Sequence, residues 1–325
     1  MSLISVVVPL YNEEGNVPEL VARITRVMNQ ATAGGDEYEI VAVNDGSKDG
    51  TLRALRGLRV SLPQLVIVDL SRNFGHQIAA TAGIDTARGD AVILMDGDLQ
   101  DPPELIEAFL AKWREGYDVV YATRKTRKGE SFFKLLTAKI FYRIIRKMTN
   151  VSIPVDTGDF RLMSRRVVDA LGRTREKHRF LRGLVSWVGF KQTGVEYERD
   201  SRHSGKSKYP FSKMLKFAID GITAFSEIPL RLATYLGFGV SIFAFVYAIV
   251  VVILKLLRLN EPGYTSIMVT LLFLGGVQLI TIGIVGEYLG RIYDQVKERP
   301  LYLVSTIEQG PVATVREPLR ESIPQ

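Results

Sequence analysis

The sequence contains no cysteine and only three histidines among its 325 residues. Without cysteine the chain forms no disulfide bond and no thiolate metal site, and it offers no cysteine nucleophile. The histidines are scattered at positions 76, 178 and 203 and lack the pairing typical of a metal site. We therefore expect His76, His178 and His203 to be surface or packing residues.

Acidic residues are slightly outnumbered, because 42 Lys and Arg against 35 Asp and Glu give a net charge of +7. The excess is local, since nine basic residues and one acidic residue lie between positions 124 and 147. Basic and apolar side chains alternate there, which predicts a basic amphipathic helix over 131–149. Such a helix either packs as an ordinary surface helix or binds an anionic membrane surface. No recognisable nucleic-acid module accompanies it, so a nucleic-acid partner is disfavoured.

Short apolar runs rich in β-branched residues alternate with helix-like segments along the first part of the chain. The runs cover 4–9, 38–43, 65–70, 91–95 and 118–121, and the helical patterns cover 17–29, 51–59, 77–87 and 103–115. Continuous apolar strands that alternate with helices indicate a sheet covered on both faces. The sequence thus predicts an α/β domain with a mostly parallel sheet.

Two later segments, 232–254 and 265–286, contain no charged residue. Each exceeds the roughly 20 residues that a helix needs to cross a bilayer. They predict transmembrane helices at about 232–257 and 265–290, joined as a hairpin. We divide the chain into a catalytic domain at 1–205, an amphipathic interface helix at 206–230, a membrane hairpin at 231–292 and a tail at 293–325.

The orientation of the hairpin is predicted from the charges beside it. The basic residues beyond its outer ends are Arg231, Arg291, Lys297 and Arg299, and those in its connector are Lys255 and Arg258. The connector charges weaken the positive-inside signal without reversing it. The first ten residues also lack the basic region of a signal peptide. We therefore place the catalytic domain and both termini in the cytoplasm. The spacing of Gly286 and Gly290 permits close helix packing and leaves a homo-oligomer open.

Polar clusters follow three of the predicted strands, at 11–13, 44–47 and 96–98. In parallel sheets ligands bind at the carboxyl ends of the strands. Asp96 and Asp98 could hold one Mg²⁺ or Mn²⁺ and leave positions open for substrate phosphates. Taken alone, an ordinary turn rich in Asp and Gly explains the same residues better.

The wider motif pattern changes this interpretation. The motifs are VVVPLYNEE at 6–14, VNDGSKDGT at 43–51, RNFG at 72–75 and MDGDLQDPP at 95–103. Their order and spacing resemble the inverting, nucleotide-sugar-dependent family 2 glycosyltransferases with the GT-A fold. DTGDFR at 156–161 and RHSGKSKY at 202–209 resemble the polyprenyl-phosphate branch, which includes dolichyl-phosphate mannose synthase. The hairpin and GEYLGRIY at 286–293 are most similar to bacterial bactoprenol glucosyltransferases.

The resemblance implies roles for individual residues. The nucleotide-binding set is Pro9, Tyr11, Asn12, Glu13, Asn44, Asp45, Arg72, Asn73 and Asp96. The metal set is Asp96, Asp98 and Gln100, the diphosphate set is Arg202 and Lys208, and the lipid-phosphate set is Arg124, Arg127, Ser131 and Lys134. Asp98 and Asp156 are the implied catalytic residues, and Asp156 either acts as a base or positions substrate. Asp159 is the less favoured of the two acidic residues in its motif. Asn44 departs from the family pattern, because many members carry Asp there.

The resemblance also implies the reaction. A single sugar, glucose from UDP-glucose, would be transferred with inversion to undecaprenyl phosphate at the cytoplasmic face of a bacterial inner membrane. GDP-mannose or a modified pentose donor remains an alternative within the class. A membrane scaffold or transporter with a nucleotide-binding domain is the alternative from another class, but neither predicted span has an ionisable residue in its middle. A processive synthase is disfavoured because the Gln-x-x-Arg-Trp motif is absent.

Overall fold

A computed structural model of the chain describes residues 1–124, 157–197, 228–257 and 263–310. Within these ranges the strands form a single eight-stranded sheet. The strands are β1 (Leu3–Leu10), β2 (Glu37–Asn44), β3 (Leu65–Leu70), β4 (Ala91–Leu94), β5 (Val119–Arg124), β6 (Thr157–Ser164), β7 (Gln192–Tyr197) and β8 (Val304–Glu308). The first five strands follow the predicted apolar runs closely.

The helices of the described chain fall into two groups. Those of the α/β domain are α1 (Val17–Ala31), α2 (Thr51–Arg59), α3 (His76–Thr86), α4 (Leu105–Arg114), α5 (Arg165–Arg173) and α6 (Leu181–Trp187). The two long helices near the C-terminus are α7 (Ile228–Leu256) and α8 (Tyr264–Val296). The basic amphipathic helix predicted at 131–149 and most of the interface helix predicted at 206–230 lie outside the described residues.

The strand order is β7-β5-β6-β4-β1-β2-β3-β8. Strands β1 to β4 are mutually parallel, and β5 and β7 run in the same direction. Strand β6 lies between β4 and β5 and is antiparallel to both, and β8 is antiparallel to β3. The predicted α/β domain with a mostly parallel sheet is confirmed. Because β6 runs backwards, its first residues lie at the edge where the parallel strands end.

Two buried clusters cover the two faces of the sheet. One face packs against α1, α2 and α4 and includes Ile24 and Phe109, whose ring lies 4.8 Å from the ring of Phe160 on β6. The other face packs against α3, α5 and α6 and includes Val7 and Leu184. Each fully buried aliphatic or aromatic side chain contributes roughly 1.5–3 kcal/mol to folding. Burial on both faces explains why the central strands are continuously apolar rather than alternating.

Helices α7 and α8 are long and apolar enough to cross a membrane, and their most apolar windows are entirely unburied. Phe243 and Leu279, for example, are 65% and 73% exposed. A soluble protein rarely exposes so large an apolar surface, so these side chains are suited to a lipid environment. The helices begin four and one residues before the predicted spans, and α8 continues six residues past its predicted end.

The chain after α8 returns to the α/β domain. Strand β8 pairs with β3, and the Glu308 carboxylate accepts a hydrogen bond from Arg56 Nε at 2.8 Å. The Tyr302 hydroxyl donates to Asp85 Oδ2 at 2.9 Å, beside the end of α3. Within the predicted C-terminal tail at 293–325, residues 293–308 extend α8 and complete the sheet edge. Pairing covers the otherwise open edge of β3, a contact between distant segments that local sequence patterns do not reveal.

Candidate active site

The loops after β1 and β2 are joined by hydrogen bonds at the carboxyl edge of the sheet. Asn12 N–H donates to Ser47 Oγ at 3.0 Å, and Lys48 N–H donates back to Asn12 Oδ1 at 2.8 Å. Glu13 N–H donates to Thr51 Oγ1 at 2.9 Å. Asn12 has a positive φ of 55°, which asparagine tolerates better than most residues. These bonds fix the loop that carries the exposed ring of Tyr11.

Asn44 and Asp45, at the end of β2, are each only 2% exposed. The two carboxylate oxygens of Asp45 accept hydrogen bonds from Phe74 N–H at 2.7 Å and Gly75 N–H at 3.0 Å. Asn44 Nδ2 donates to Asp69 Oδ1 at 2.7 Å. Burial raises the pKa of Asp45 even though both backbone donors and nearby cations oppose the change. In this structure Asp45 holds the 72–75 loop, and Asn44 pairs with the neighbouring strand.

Gly46 brings the β2 loop into close contact with the β3 loop. Its φ is +61°, and a Cβ there would overlap the backbone of Arg72 and Asn73. Only glycine meets both conditions without displacing one loop. Asn73 Nδ2 donates to the Asp45 carbonyl at 3.2 Å, and the Arg72 guanidinium lies 4.1 Å from the centre of the Phe74 ring. The exposed Arg72 and Asn73 side chains therefore line this edge.

The Asp96–Asp98 turn follows β4 beside the end of β1. Gly97 packs against the Leu10 side chain and the Pro9 carbonyl, and a Cβ there would collide with Leu10. Leu99 has a positive φ of 59°, which is costly for a leucine, and Gln100 N–H donates to Asp98 Oδ1 at 3.2 Å. This strained turn keeps both aspartates at the carboxyl edge.

A third acidic residue reaches this turn from β6. The antiparallel register pairs Leu94 with Arg161, so Asp96, two residues after Leu94, and Asp159, two residues before Arg161, come opposite one another. His76, the first residue of α3, lies between them. Its Nε2 is 3.2 Å from Asp96 Oδ1 and 3.4 Å from Asp159 Oδ2.

The expectation that His76 is an ordinary surface or packing residue is therefore wrong. Burial lowers the pKa of His76, but the Asp159 and Asp96 carboxylates outweigh burial and raise the pKa to about 10. The imidazole is therefore a cation at neutral pH in the absence of a bound metal. By contrast, His178 lies 3.6 Å from Asp294 on the exposed surface, as expected, and His203 lies outside the described residues.

Asp159 is nearly buried and is surrounded by donors. Arg182 Nε donates to its Oδ1 at 2.7 Å, and Gln77 Nε2 donates to its Oδ2 at 3.2 Å. Burial alone would raise the pKa of Asp159, but Arg182, His76 and the buried Arg161 hold it well below its usual range. Asp159, which sequence analysis placed second to Asp156, is thus an ionised part of the site.

The donor atoms at this point fit a small divalent cation. One donor atom from each of His76, Asp96 and Asp159 lies within 4.8 Å of the other two. Asp96 Oδ1 is buried, and no donor among the described residues meets it with hydrogen-bond geometry. A buried oxygen without a hydrogen bond is unusual and is readily satisfied by a ligand. Carboxylate oxygens suit Mg²⁺ and Mn²⁺, and an imidazole nitrogen is tolerated by Mn²⁺ more readily than by Mg²⁺.

The protein-family comparison matches residues 5–172 to the model described as glycosyl transferase family 2. This match covers just over half of the chain and includes the carboxyl-edge loops after β1 to β4. The chain is a family 2 glycosyltransferase. Residues 228–292 of the enzyme match a second model, the GtrB C-terminal hairpin, which spans α7 and most of α8.

Relatives of known sequence match the glycosyltransferase along nearly its whole length. It is 53% identical over 92% of both chains to the uncharacterized glycosyltransferase YkcC of Bacillus subtilis. It is 44% identical to the bactoprenol glucosyl transferase of Shigella phage SfII, over 94% of this chain and 99% of that one. A solved structure of S. aureus TarS 1-349 in complex with UDP-GlcNAc is 19% identical, with a TM-score of 0.46 over 68% of this chain and 65% of that one. The family and the enzyme class predicted from sequence are confirmed.

Several site residues predicted for the glycosyltransferase lie at the carboxyl edge. In the described chain these are Pro9, Tyr11, Asn12, Glu13, Asn44, Asp45, Arg72, Asn73, Asp96, Asp98 and Gln100. The backbone of Arg124 ends β5. The other predicted residues, Arg127, Ser131, Lys134, Asp156, Arg202 and Lys208, lie outside the described residues, so their roles stay predictions.

The sequence predicted no catalytic or binding role for His76, Gln77 or Arg182. A usable signal existed for His76, because it directly follows the RNFG motif and opens the next helix. A side chain in that position lies at the ligand-binding edge of a parallel sheet. Arg182 has no comparable signal, since 23 residues separate it from Asp159 and only the packing of α6 brings the two together.

Proposed function

We propose that this glycosyltransferase transfers one glucose from UDP-glucose to undecaprenyl phosphate, with inversion at the anomeric carbon. The products would be a polyprenyl-phosphate sugar and UDP. The observation that carries the proposal is the carboxylate cluster around Asp96 at the carboxyl edge, joined in the same chain to an exposed apolar hairpin. The first suits a nucleotide-sugar diphosphate, and the second suits a lipid acceptor.

The acceptor is supported by sequence similarity along the whole chain. The alignment with the bactoprenol glucosyl transferase of Shigella phage SfII covers 94% of this chain at 44% identity, and residues 228–292 match the GtrB C-terminal hairpin. A phosphate on a lipid carrier stays at the bilayer surface, so the enzyme must also be held there. Helices α7 and α8 would hold it, and the predicted basic helix over 131–149 would meet the anionic headgroups.

The donor end of the site is supported by the chemistry of its carboxylates. Asp96 is the central ligand that we assign to a divalent cation, with His76, Asp98 or Gln100 available to complete its coordination. Such a cation would stabilise the negative charge that develops on the leaving diphosphate. The protein holds Asp96 and Asp98 on a turn with a fixed conformation, because Gly97 between them packs tightly against β1. Arg202 and Lys208 are the predicted partners of the same diphosphate.

The acceptor phosphate needs little help from a base. A phosphate monoester with a second pKa of about 6 is mostly ionised at neutral pH and already nucleophilic. Asp159 is a poor base in this structure, because neighbouring cations keep its pKa well below the usual range. Asp156 remains the predicted base or positioning residue. We expect binding and orientation of the two phosphates to matter more than proton removal.

The placement of the domain on the cytoplasmic side is part of the proposal. The chain that leaves α8 pairs with β3 of the domain, which supports an arrangement with both ends of the hairpin on one side. Arg231, Arg291, Lys297 and Arg299 flank those ends. We therefore propose a bacterial inner-membrane enzyme with a cytoplasmic active site.

The test uses purified full-length enzyme in lipid nanodiscs that contain undecaprenyl phosphate and either Mg²⁺ or Mn²⁺. Radiolabelled UDP-glucose, GDP-mannose and a UDP-linked pentose are supplied in separate reactions, with undecaprenol as the acceptor control. We expect labelled lipid from UDP-glucose and none from undecaprenol. Product from another donor alone would correct the sugar, and no product from any donor would contradict the proposal.

Two variants test the roles assigned to Asp98 at the donor end of the site and to Arg124 at the acceptor end, in the same assay. Asp98→Ala should abolish turnover, whereas Asp36→Ala, which removes an exposed ion pair with Arg114 at 2.9 Å, should leave turnover unchanged. Arg124→Ala should raise the concentration of undecaprenyl phosphate needed for half-maximal rate. Unchanged acceptor affinity in that variant would show that Arg124 does not bind the lipid phosphate.

A further inference from the structure

Asp159 is oriented by donors from two helices. Arg182, the second residue of α6, binds Oδ1 through Nε at 2.7 Å and approaches Oδ2 through Nη2 at 3.3 Å. Gln77, in the first turn of α3, donates to Oδ2 at 3.2 Å. The Asp159 side chain is 5% exposed and the Arg182 side chain 24% exposed. Hydrogen bonds to both carboxylate oxygens therefore fix the orientation of the Asp159 side chain.

Gln77 links the two helices that provide these donors. Its Oε1 accepts a hydrogen bond from Leu181 N–H at 3.0 Å, at the start of α6. The same side chain therefore contacts Asp159 with its nitrogen and the helix of Arg182 with its oxygen. Displacement of α6 would disturb both bonds to Asp159 together, so the geometry of this carboxylate depends on α6.

The contact of Arg182 with Asp159 also affects the charge balance between Asp159 and Asp96. Asp96 and Asp159 both lie within 3.4 Å of His76 Nε2, and two carboxylates so close repel each other. Arg182 balances the charge of Asp159 and engages its Oδ1, which leaves Asp96 to bind a ligand. Without Arg182, the Asp159 carboxylate would keep only the contacts of Gln77 and His76 with Oδ2 among the described residues, so its Oδ1 could turn toward a cation held at Asp96.

We infer that Arg182 is a positioning residue for sugar transfer that acts through Asp159, with Gln77 as its second support. This inference rests on the proposed function, because it concerns the same site. Arg182 sets the direction of the Asp159 carboxylate and so preserves the spacing of Asp159, His76 and Asp96.

The principal variant is Arg182→Met, which keeps much of the side-chain length and removes the charge. We expect kcat to fall about tenfold or more while the KM values for donor and acceptor change less than about threefold, since a positioning residue does not bind substrate. Arg182→Lys should recover part of the loss by restoring the charge without the paired donors. Gln77→Met should give a smaller loss in the same direction.

Arg88→Met is the matched control. Arg88 is 18% exposed and pairs with the buried Glu39 at 2.6 Å, a similar ion pair away from the site. We expect this variant to lose thermal stability like Arg182→Met but to keep kcat within about twofold of the wild type. Equal kcat values for the two variants, measured on folded protein, would overturn the inference.

The decisive measurement is a double-mutant cycle with Asp159→Asn. If Arg182 acts through Asp159, adding Arg182→Met to Asp159→Asn should reduce kcat by less than about twofold further. A full, multiplicative loss in the double variant would contradict the inference. Should Arg182→Met fail to fold, the same cycle is run with Gln77→Met and Arg182→Lys, and the same criterion applies.

A second readout separates this inference from the proposed function. Failure of the wild type to produce any lipid-linked sugar would defeat the proposed function, and Mn²⁺ affinity measured by electron paramagnetic resonance would then test Arg182. Loss of the Arg182 charge, with Asp159 free to turn, should make Mn²⁺ bind about threefold or more tightly. Unchanged affinity relative to the wild type would overturn the inference.

Discussion

Two buried ionic clusters lie at opposite edges of the same sheet, and they differ in how completely their polar atoms are satisfied. At the amino edge, Glu39 accepts hydrogen bonds from Ser5 Oγ at 2.6 Å and from Arg88 N, Nε and Nη2 at 2.6–3.0 Å. At the carboxyl edge, Asp96 Oδ1 is buried and meets no donor of the described residues with hydrogen-bond geometry, although His76 Nε2 lies 3.2 Å away, and the His76 side chain is 43% exposed. A closed, satisfied cluster stabilises a fold, whereas an open, incompletely satisfied cluster is suited to a ligand.

Backbone conformation differs between the edges in the same way. Three described non-glycine residues have positive φ: Asn12 and Leu99, both at the carboxyl edge, and Glu298, just after α8. Strained residues persist where the surrounding structure holds them in place, and they are common at functional sites. The comparison therefore predicts that substitutions at one edge affect turnover and those at the other affect stability.

The largest expected effect is on turnover at the carboxyl edge. Asp96→Asn keeps the shape of the side chain but removes its charge, so we expect the transfer rate to fall by roughly 10²–10³-fold, as when a group that stabilises transition-state charge is lost. Thermal unfolding of the same variant should change less than turnover, because the contact that Asp96 Oδ1 loses within the described residues is the one with the partly exposed His76 at 3.2 Å. A stable variant that retains more than half of the activity would remove Asp96 from the site.

The next largest effect is on stability at the amino edge. Glu39→Ala leaves Arg88 and Ser5 without their shared partner, and breaking a buried pair typically costs about 3–5 kcal/mol. Because Arg88 is 18% exposed, we expect a smaller loss of about 2–3 kcal/mol in the free energy of unfolding. Denaturant titration measures this loss, and the turnover of the folded fraction should match the wild type. Reduced turnover per folded molecule would contradict the prediction that substitutions at the amino edge affect stability alone.

A smaller effect on turnover is expected at His76. His76→Gln retains a polar side chain but removes the imidazole that lies between Asp96 and Asp159, so the transfer rate should fall about tenfold, comparable to one catalytic interaction of about 1.4 kcal/mol. His178→Gln is the matched control, since that histidine lies by the exposed Asp294. Rates are compared at saturating Mn²⁺, and equal rates for the two variants would exclude His76 from the site.

The smallest effect concerns pH and Asp118, also at the amino edge. Burial opposes ionisation, but hydrogen bonds from Arg166 and Ser164 hold the pKa of Asp118 below its ordinary value of 3.8. A lowered folded-state pKa means that the stabilisation is complete above about pH 4 and is lost as the pH falls further. Arg166 is 63% exposed, so solvent screens the pair and its contribution should be small. Unfolding curves of wild type and Asp118→Asn should differ at pH 6, and the difference should shrink as the pH falls below about 4; a constant difference would contradict this account.

Much of the fold could be predicted because it rests on local patterns. Strands β1 to β4 and helices α1 to α4 match runs of apolar residues with the period of a strand or a helix. The loops at 11–13, 44–47 and 96–98 were likewise predicted to meet, because the carboxyl ends of parallel strands share one edge. What local patterns could not reveal was β8, which pairs with a strand more than 200 residues earlier.

The amino-acid sequence by itself determined the family, the α/β domain, the apolar hairpin and the loops that carry the carboxylates, because each is encoded in a continuous segment. Tertiary structure alone decided which acidic residue joins Asp96. The antiparallel insertion of β6 puts Asp159 opposite it, and the packing of α3 and α6 brings His76 and Arg182 to the same carboxylate. These contacts join residues 20 to 83 positions apart in the sequence, and no local spacing specifies them.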